Sequence, residues 1–179
     1  MPAAEPPLVV TLAVDRESQR AWDELRRTWF PAERLKVGAH VTLFHALPGE
    51  HADAVIADCA EIAARCPRFS FAVDGVNSLG GGVAIALSAA ALTSLHGKLR
   101  TRWRSWLTAQ DAQPLKPHVT VQNKVGRETA RATIEALRPD FGPRTGSATG
   151  LAVWRYLGGP WQPVTSVDFV TPAVRRAGE

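Results

Sequence analysis

Residues His40-Val41-Thr42-Leu43 recur further along the chain as His118-Val119-Thr120-Val121. Each copy reads His, apolar, Thr, apolar. Successive side chains of a β-strand point to opposite faces, so the His and Thr of each copy share one face and the two apolar residues the other. Each copy is therefore expected on a strand that buries its aliphatic side and presents an imidazole and a hydroxyl together. Two such strands at one cleft supply two proton-transfer groups and two hydroxyl donors. That set suits chemistry on a phosphodiester without a metal.

The surroundings of the two copies also match. Leu35-Lys36 precedes His40, and Leu115-Lys116 precedes His118. Strands are expected at Leu8–Val14, Leu35–Ala46, Phe69–Val76, Val83–Leu87, Gly150–Leu157 and Val164–Val170, from apolar runs and alternation. The second motif adds another, introduced by Pro114 and Pro117. Helices are expected at Glu17–Phe30, Ala52–Arg65, Ala90–Leu107 and Arg127–Leu137, with Pro31, Pro67 and Pro139 as stops. Gly80-Gly81-Gly82 and Gly158-Gly159-Pro160 read as hairpin turns. Each half then runs strand, helix, motif strand, helix, hairpin. The expected fold is α+β and internally duplicated: two lobes, each with an antiparallel sheet and flanking helices, related by a pseudo-twofold around a central cleft. One domain would span residues 1–179, with halves at roughly 8–80 and 81–172.

At 179 residues the chain can bury a sizeable core, and its 45% hydrophobic and 21% charged residues are those of a soluble globular protein. The net charge of +4 permits an anionic ligand without pointing to nucleic acid. Arginine carries most of it. The only lysines are Lys36, Lys98, Lys116 and Lys124, and three of them lie near the motifs. Cys59 and Cys66 are seven apart on a helical segment, a rise of about 10.5 Å, which is beyond disulfide reach. They are expected as reduced thiols. Met1–Pro7 lacks the features of a signal peptide, and no run is long enough to cross a membrane, so a cytoplasmic location is expected.

Paired His-x-Thr-x motifs in two matching halves of a chain this size resemble the 2H phosphoesterases. The resemblance is strongest to the bacterial 2′-5′ RNA ligase-like branch, which includes 2′,3′-cyclic phosphodiesterases. It implies that His40 and His118 are an acid–base pair, His40 the proton donor and His118 the acceptor in hydrolysis. It also implies that Thr42 and Thr120 bind the phosphate. The implied activity is metal-independent hydrolysis of 2′,3′-cyclic phosphate ends of RNA or of small cyclic nucleotides, with 2′-5′ ligation as the reverse reaction. No cofactor, metal, membrane or protein partner is implied. An ordinary imidazole pKa near 6.5 suits both roles around neutrality.

Two other readings use the same cleft: a non-catalytic nucleotide- or RNA-binding module, and a phosphodiesterase for another small phosphoester. Two intact histidines argue against the pure binder, which needs no titrating pair. Further substrate contacts are expected from Phe44, which continues the His40–Thr42 face, and from Lys116. Lys36 and Lys124 could add charge at the rim. Trp154, Tyr156 and Trp161 are alternative surfaces for a base. His45 is expected on the buried face of its strand, and His51 and His96 on helix faces or the surface. His40, His45 and His51 lack metal-ligand spacing, and neither C-x-x-C nor G-x-S-x-G occurs.

Overall fold

The structure, a computed structural model, describes residues 5–172. In chain order its elements are β1 (Leu8–Val14), α1 (Arg16–Trp29), β2 (Val41–Leu47), α2 (Ala52–Ala63), β3 (Phe69–Ser78), β4 (Val83–Ser88), α3 (Ala90–Arg102), β5 (His118–Gln122), α4 (Arg127–Leu137), β6 (Thr145–Tyr156) and β7 (Trp161–Asp168). Local chemistry sets several boundaries. The Asp15 carboxylate accepts from the Ser18 backbone N–H at 2.9 Å and caps α1. Gly80, at φ +82°, turns β3 into β4 in a conformation open to glycine. The α3 helix stops earlier than expected, at Arg102, and its C-cap Trp103 is buried and donates its Nε1 proton to Asp58 at 2.8 Å.

The strands join in the order β1-β2-β5-β4-β3-β6-β7, and β1 also pairs with β6. The first six strands thus close a ring, antiparallel throughout, with β7 outside it. This is a mixed α and β fold with one barrel-like sheet, where two separate sheets are expected from the sequence. The physical cause is the length of β6. Its first residues, Thr145–Ala148, pair with β3, and Ala148–Arg155 pair with β1. One strand therefore belongs to both groups. Gly146 permits this, since a Cβ there would collide with the Phe71 ring and the Ser18 hydroxyl.

The core includes Trp22, Phe44, Ile85, Leu92, Leu99, Trp103 and Leu151, all at or below about one percent exposure. Residues 35–40, expected as strand, are not part of β2. They run beside α1, whose side chains take up their backbone groups, so His40 stands at the entrance of β2. Cys59 is buried in α2, Cys66 lies beyond its end, and both are free thiols. No helix among the described residues is long and apolar enough to cross a membrane.

Candidate active site

The strands β2 and β5 are neighbours, joined through Val41 and Val119. Each valine directly follows its motif histidine. Continuing this antiparallel register by one residue sets His40 beside Thr120 and Thr42 beside His118. The flanks also correspond: β1 pairs Leu12 with Val41, and β4 pairs Ile85 with Val119. Val41, Leu43, Val119 and Val121 are buried, while His40, Thr42, His118 and Thr120 are half-exposed. The alternation anticipated from the sequence thus brings two imidazoles and two hydroxyls to one face.

Both imidazoles are held in the same way. His40 Nδ1 lies 2.7 Å from the Gly38 carbonyl oxygen, and His118 Nδ1 lies 2.8 Å from that of Lys116. A carbonyl only accepts, so each Nδ1 carries a proton and donates it. Nε2 is then the nitrogen free to exchange a proton in the cleft. Each ring is oriented by the carbonyl two residues before it. On the second motif, Leu87 N–H donates to the Pro117 carbonyl at 3.0 Å and ties that approach to β4.

The approach to His40 is secured by α1. Gln19, Asp23 and Arg26 share one helix face. Gln19 Nε2 donates to the Ala39 carbonyl at 2.9 Å, and Ala39 N–H donates to Asp23 Oδ1 at 2.7 Å. Arg26 is 5% exposed. It donates through Nη1 to the Thr120 carbonyl at 2.6 Å and through Nη2 to the Val37 carbonyl at 3.0 Å. One guanidinium therefore bridges the second motif strand and the segment leading into the first. Sequence reasoning missed all three residues. The available signal was an arginine one turn after Trp22 on the apolar stripe of α1.

Electrostatically, the His40 imidazole is pushed down to about 4 from 6.5, first by burial. The Gly38 bond opposes this, while the charges of Arg26, His118 and His45 add to it. His40 is thus neutral at neutral pH in the free protein. Its ring lies 4.5 Å from that of Trp161, centroid to centroid. Trp161 is in turn 6.1 Å from Trp154, whose Nε1 donates to Thr11 Oγ1 at 3.0 Å. A cleft of about 260 Å³ opens here, lined by His40, Trp154, Trp161 and Gln19.

A second, larger cleft, about 530 Å³, touches both motifs. Thr42, His118, His45 and Lys116 line it. Phe44 does not. It is 0% exposed and stacks on His96 with ring centroids 4.7 Å apart, so it is no substrate contact. The cause is a bulge: Thr11 pairs with Thr42 but Val10 pairs with Phe44, so Leu43 is an extra residue on β2. The bulge turns Phe44 into the core and His45 outward, reversing the expectation for both. His96 is likewise buried, and His51 stacks on Trp106 at 4.3 Å. Lys36 lines a separate hollow with Arg26 and Arg27. Lys124 sits in the turn after β5 at φ +58°, and Tyr156 is exposed at the end of β6. Among the described residues, no three His, Cys, Asp or Glu side chains gather as a metal site.

A closed antiparallel sheet with two adjacent strands, each carrying a half-exposed His-Thr motif, is the arrangement of a two-histidine protein of phosphoesterase type. Residues 14–160 match the family model described as the 2′-5′ RNA ligase superfamily, and the chain belongs to that family. Its fold is similar to a crystal structure described as a phosphoesterase: 17% identity, TM-score 0.65, covering 93% of this chain and 99% of that one. The Escherichia coli LigT structure complexed with 3′-AMP is similar at 18% identity and TM-score 0.64, with the same shares covered. TT0787 of Thermus thermophilus matches at 16% identity and TM-score 0.65, covering 92% of this chain and 98% of that one. At these identities the likeness is one of fold. No curated protein matches the chain in sequence.

Proposed function

We propose that this protein is a metal-independent phosphoesterase that opens 2′,3′-cyclic phosphates at RNA ends or on small nucleotides, and that the same site can run the reverse 2′-5′ ligation. The observation that carries the reading is the matched pair of imidazoles, each anchored through Nδ1 to the carbonyl two residues back. A ring that serves only packing has no need of a second ring held identically on the adjacent strand. The nucleotide found with the similar LigT structure is in keeping with a nucleotide ligand.

In the proposed reaction a water molecule attacks phosphorus, giving up its proton to His118 Nε2. The bond from phosphorus to the 3′ oxygen breaks, and that oxygen takes a proton from His40 Nε2. The product is a 2′-phosphate. Thr42 and Thr120 donate to the non-bridging oxygens, whose negative charge grows in the transition state. His40 is neutral in the free protein, so the donor role has a condition. The charge of the bound phosphodiester must draw a proton onto its ring. The pairing of Val41 with Val119 supports treating the chain, residues 1–179, as one internally duplicated domain with a pseudo-twofold through that pair. A cytoplasmic setting suits this substrate class.

The test is hydrolysis of 2′,3′-cyclic AMP in EDTA by the wild-type protein and by His40→Ala and His118→Ala, with the product identified by chromatography. Turnover that both variants abolish supports the reading. Turnover that depends on an added divalent ion refutes it.

A further inference from the structure

The larger cleft extends past Thr42 and His118 to a third histidine that the reaction above does not use. His45 is oriented by a carboxylate. Its Nδ1 donates to Asp111 Oδ1 at 2.9 Å. The same carboxylate accepts from the His45 backbone N–H at 2.9 Å and from Ala46 N–H at 3.0 Å. The Asp111 side chain is 1% exposed, whereas that of His45 is 42% exposed. Burial alone would raise the Asp111 carboxyl, and the bonds from His45 and Ala46 outweigh it, leaving it ionised and below the usual range.

This arrangement exceeds what packing requires. A buried carboxylate that only pinned the β2 bulge would be served by the two backbone N–H groups. Here it also fixes an imidazole whose remaining nitrogen, Nε2, is left free on a ring that lines the cleft. The neighbouring wall supplies further donors: the Lys116 ammonium and the amides of Gln110 and Gln113. Asp111 is the only carboxylate among the lining residues, and its oxygens are already engaged. The cleft of about 530 Å³ is far larger than one phosphate. His45 follows Thr42 by three residues, at most about 10 Å along a strand. The 2′,3′ and 5′ phosphates of one nucleotide lie within that upper bound of each other.

We propose that His45, held by Asp111, forms with Lys116 a second anion subsite that takes a phosphate of the substrate other than the reacting one. This rests on the phosphoesterase reading and narrows its substrate class. The preferred substrate is a cyclic-phosphate end that also carries a 5′ phosphate, as the last residue of an RNA chain does. A nucleoside 2′,3′-cyclic phosphate fills only half of the site. In its imidazolium form His45 donates through Nε2 to the second phosphate, and Asp111 acts as a positioning residue behind it.

Calorimetric binding of two product-like probes tests this without turnover: adenosine 2′-phosphate and adenosine 2′,5′-bisphosphate. The wild-type protein is expected to bind the bisphosphate about tenfold more tightly or better, the fold-change of one charge-assisted hydrogen bond. His45→Gln and Lys116→Ala, each checked for an unchanged melting temperature, should each cut that ratio sharply, and the double variant should bring it near one. Equal affinity of the wild-type protein for the two probes overturns the subsite, as does a preference that survives the double variant. In either case, binding of adenosine 2′-phosphate that His118→Ala weakens leaves the phosphoesterase reading standing. If the wild-type protein binds neither probe, both readings fall.

Discussion

Val41 of β2 and Val119 of β5 pair with each other, and each is the residue that follows a motif histidine. In the proposed pseudo-twofold, a half-turn about this pair exchanges the two motifs. Continued by one residue, this register sets each histidine beside the other motif's threonine, and in the proposed reaction a phosphate centred there would meet an imidazole and a hydroxyl from either side.

The proposed division of labour between the rings is open to a chemical test. A donor matters most when the leaving group is a poor one, and general acid catalysis is worth about 10²- to 10⁴-fold. His40→Ala is expected to lose that much on 2′,3′-cyclic AMP, whose leaving group is an alkoxide. On bis(4-nitrophenyl) phosphate, whose leaving group departs unprotonated, the loss should be much smaller. His118→Ala should be impaired on both. The reverse pattern would exchange the roles.

The depressed imidazole should be visible in the pH dependence of the rate. The profile of kcat/KM reports groups of the free enzyme. With His40 pushed down to about 4, a limb of that profile should lie near pH 4. The limb belongs to His40 whichever way it passes its proton, because an acid and a base with exchanged protonation give the same bell. In Arg26→Met, which removes one nearby positive charge, the limb should move upward. A limb that stays put would show that the Arg26 charge has no part in setting it.

Stability should follow the same group. His40 titrates at about 4 in the folded protein against 6.5 as its ordinary value. Between those values the unfolded chain binds a proton that the folded one refuses, so stability rises with pH across the window. The contribution is complete above pH 6.5 and lost as pH falls toward 4. His96, lowered first by burial, adds to the same slope. Chemical denaturation at a series of pH values should give a shallower slope for His40→Asn than for the wild-type protein.

Arg26 should matter for both folding and activity. Arg26→Met removes the donor to the partly buried carbonyls of Thr120 and Val37, and losing such a bond costs up to about 3 kcal/mol. Arg26→Lys should rescue little, because an ammonium lacks the planar fork that reaches two separate carbonyls. Denaturation midpoints would show the cost, and residual turnover of 2′,3′-cyclic AMP would show whether the motifs have shifted.

Much of this was legible from local pattern. The period-two alternation of the motifs predicts which residues are buried, and they are: Val41, Leu43, Val119 and Val121. Arg127–Leu137 and the glycine turns follow from proline, glycine and helical spacing. Phe44 and His45 fail for one reason. Alternation assumes an unbroken register, and the extra residue at Leu43 depends on how β1 lies against β2. The roles of Gln19, Asp23 and Arg26 were hidden because their partners are backbone carbonyls and amides, which leave no trace in side-chain identity. The single sheet was hidden as well, since one strand with partners on both flanks and at both ends looks in sequence like any long apolar run.

The forked β6 has a consequence for how the protein is made. It pairs with β1, the first strand of the sheet to leave the ribosome, yet among the described residues only β7 follows it. Both histidines are therefore synthesised well before the strand that closes the ring around them. Such distant pairing slows folding. A nascent chain cut short of residue 145 carries both motifs and lacks the β1–β6 and β3–β6 ladders that brace them. Catalytic competence should consequently arrive in one step, once β6 has emerged, rather than lobe by lobe.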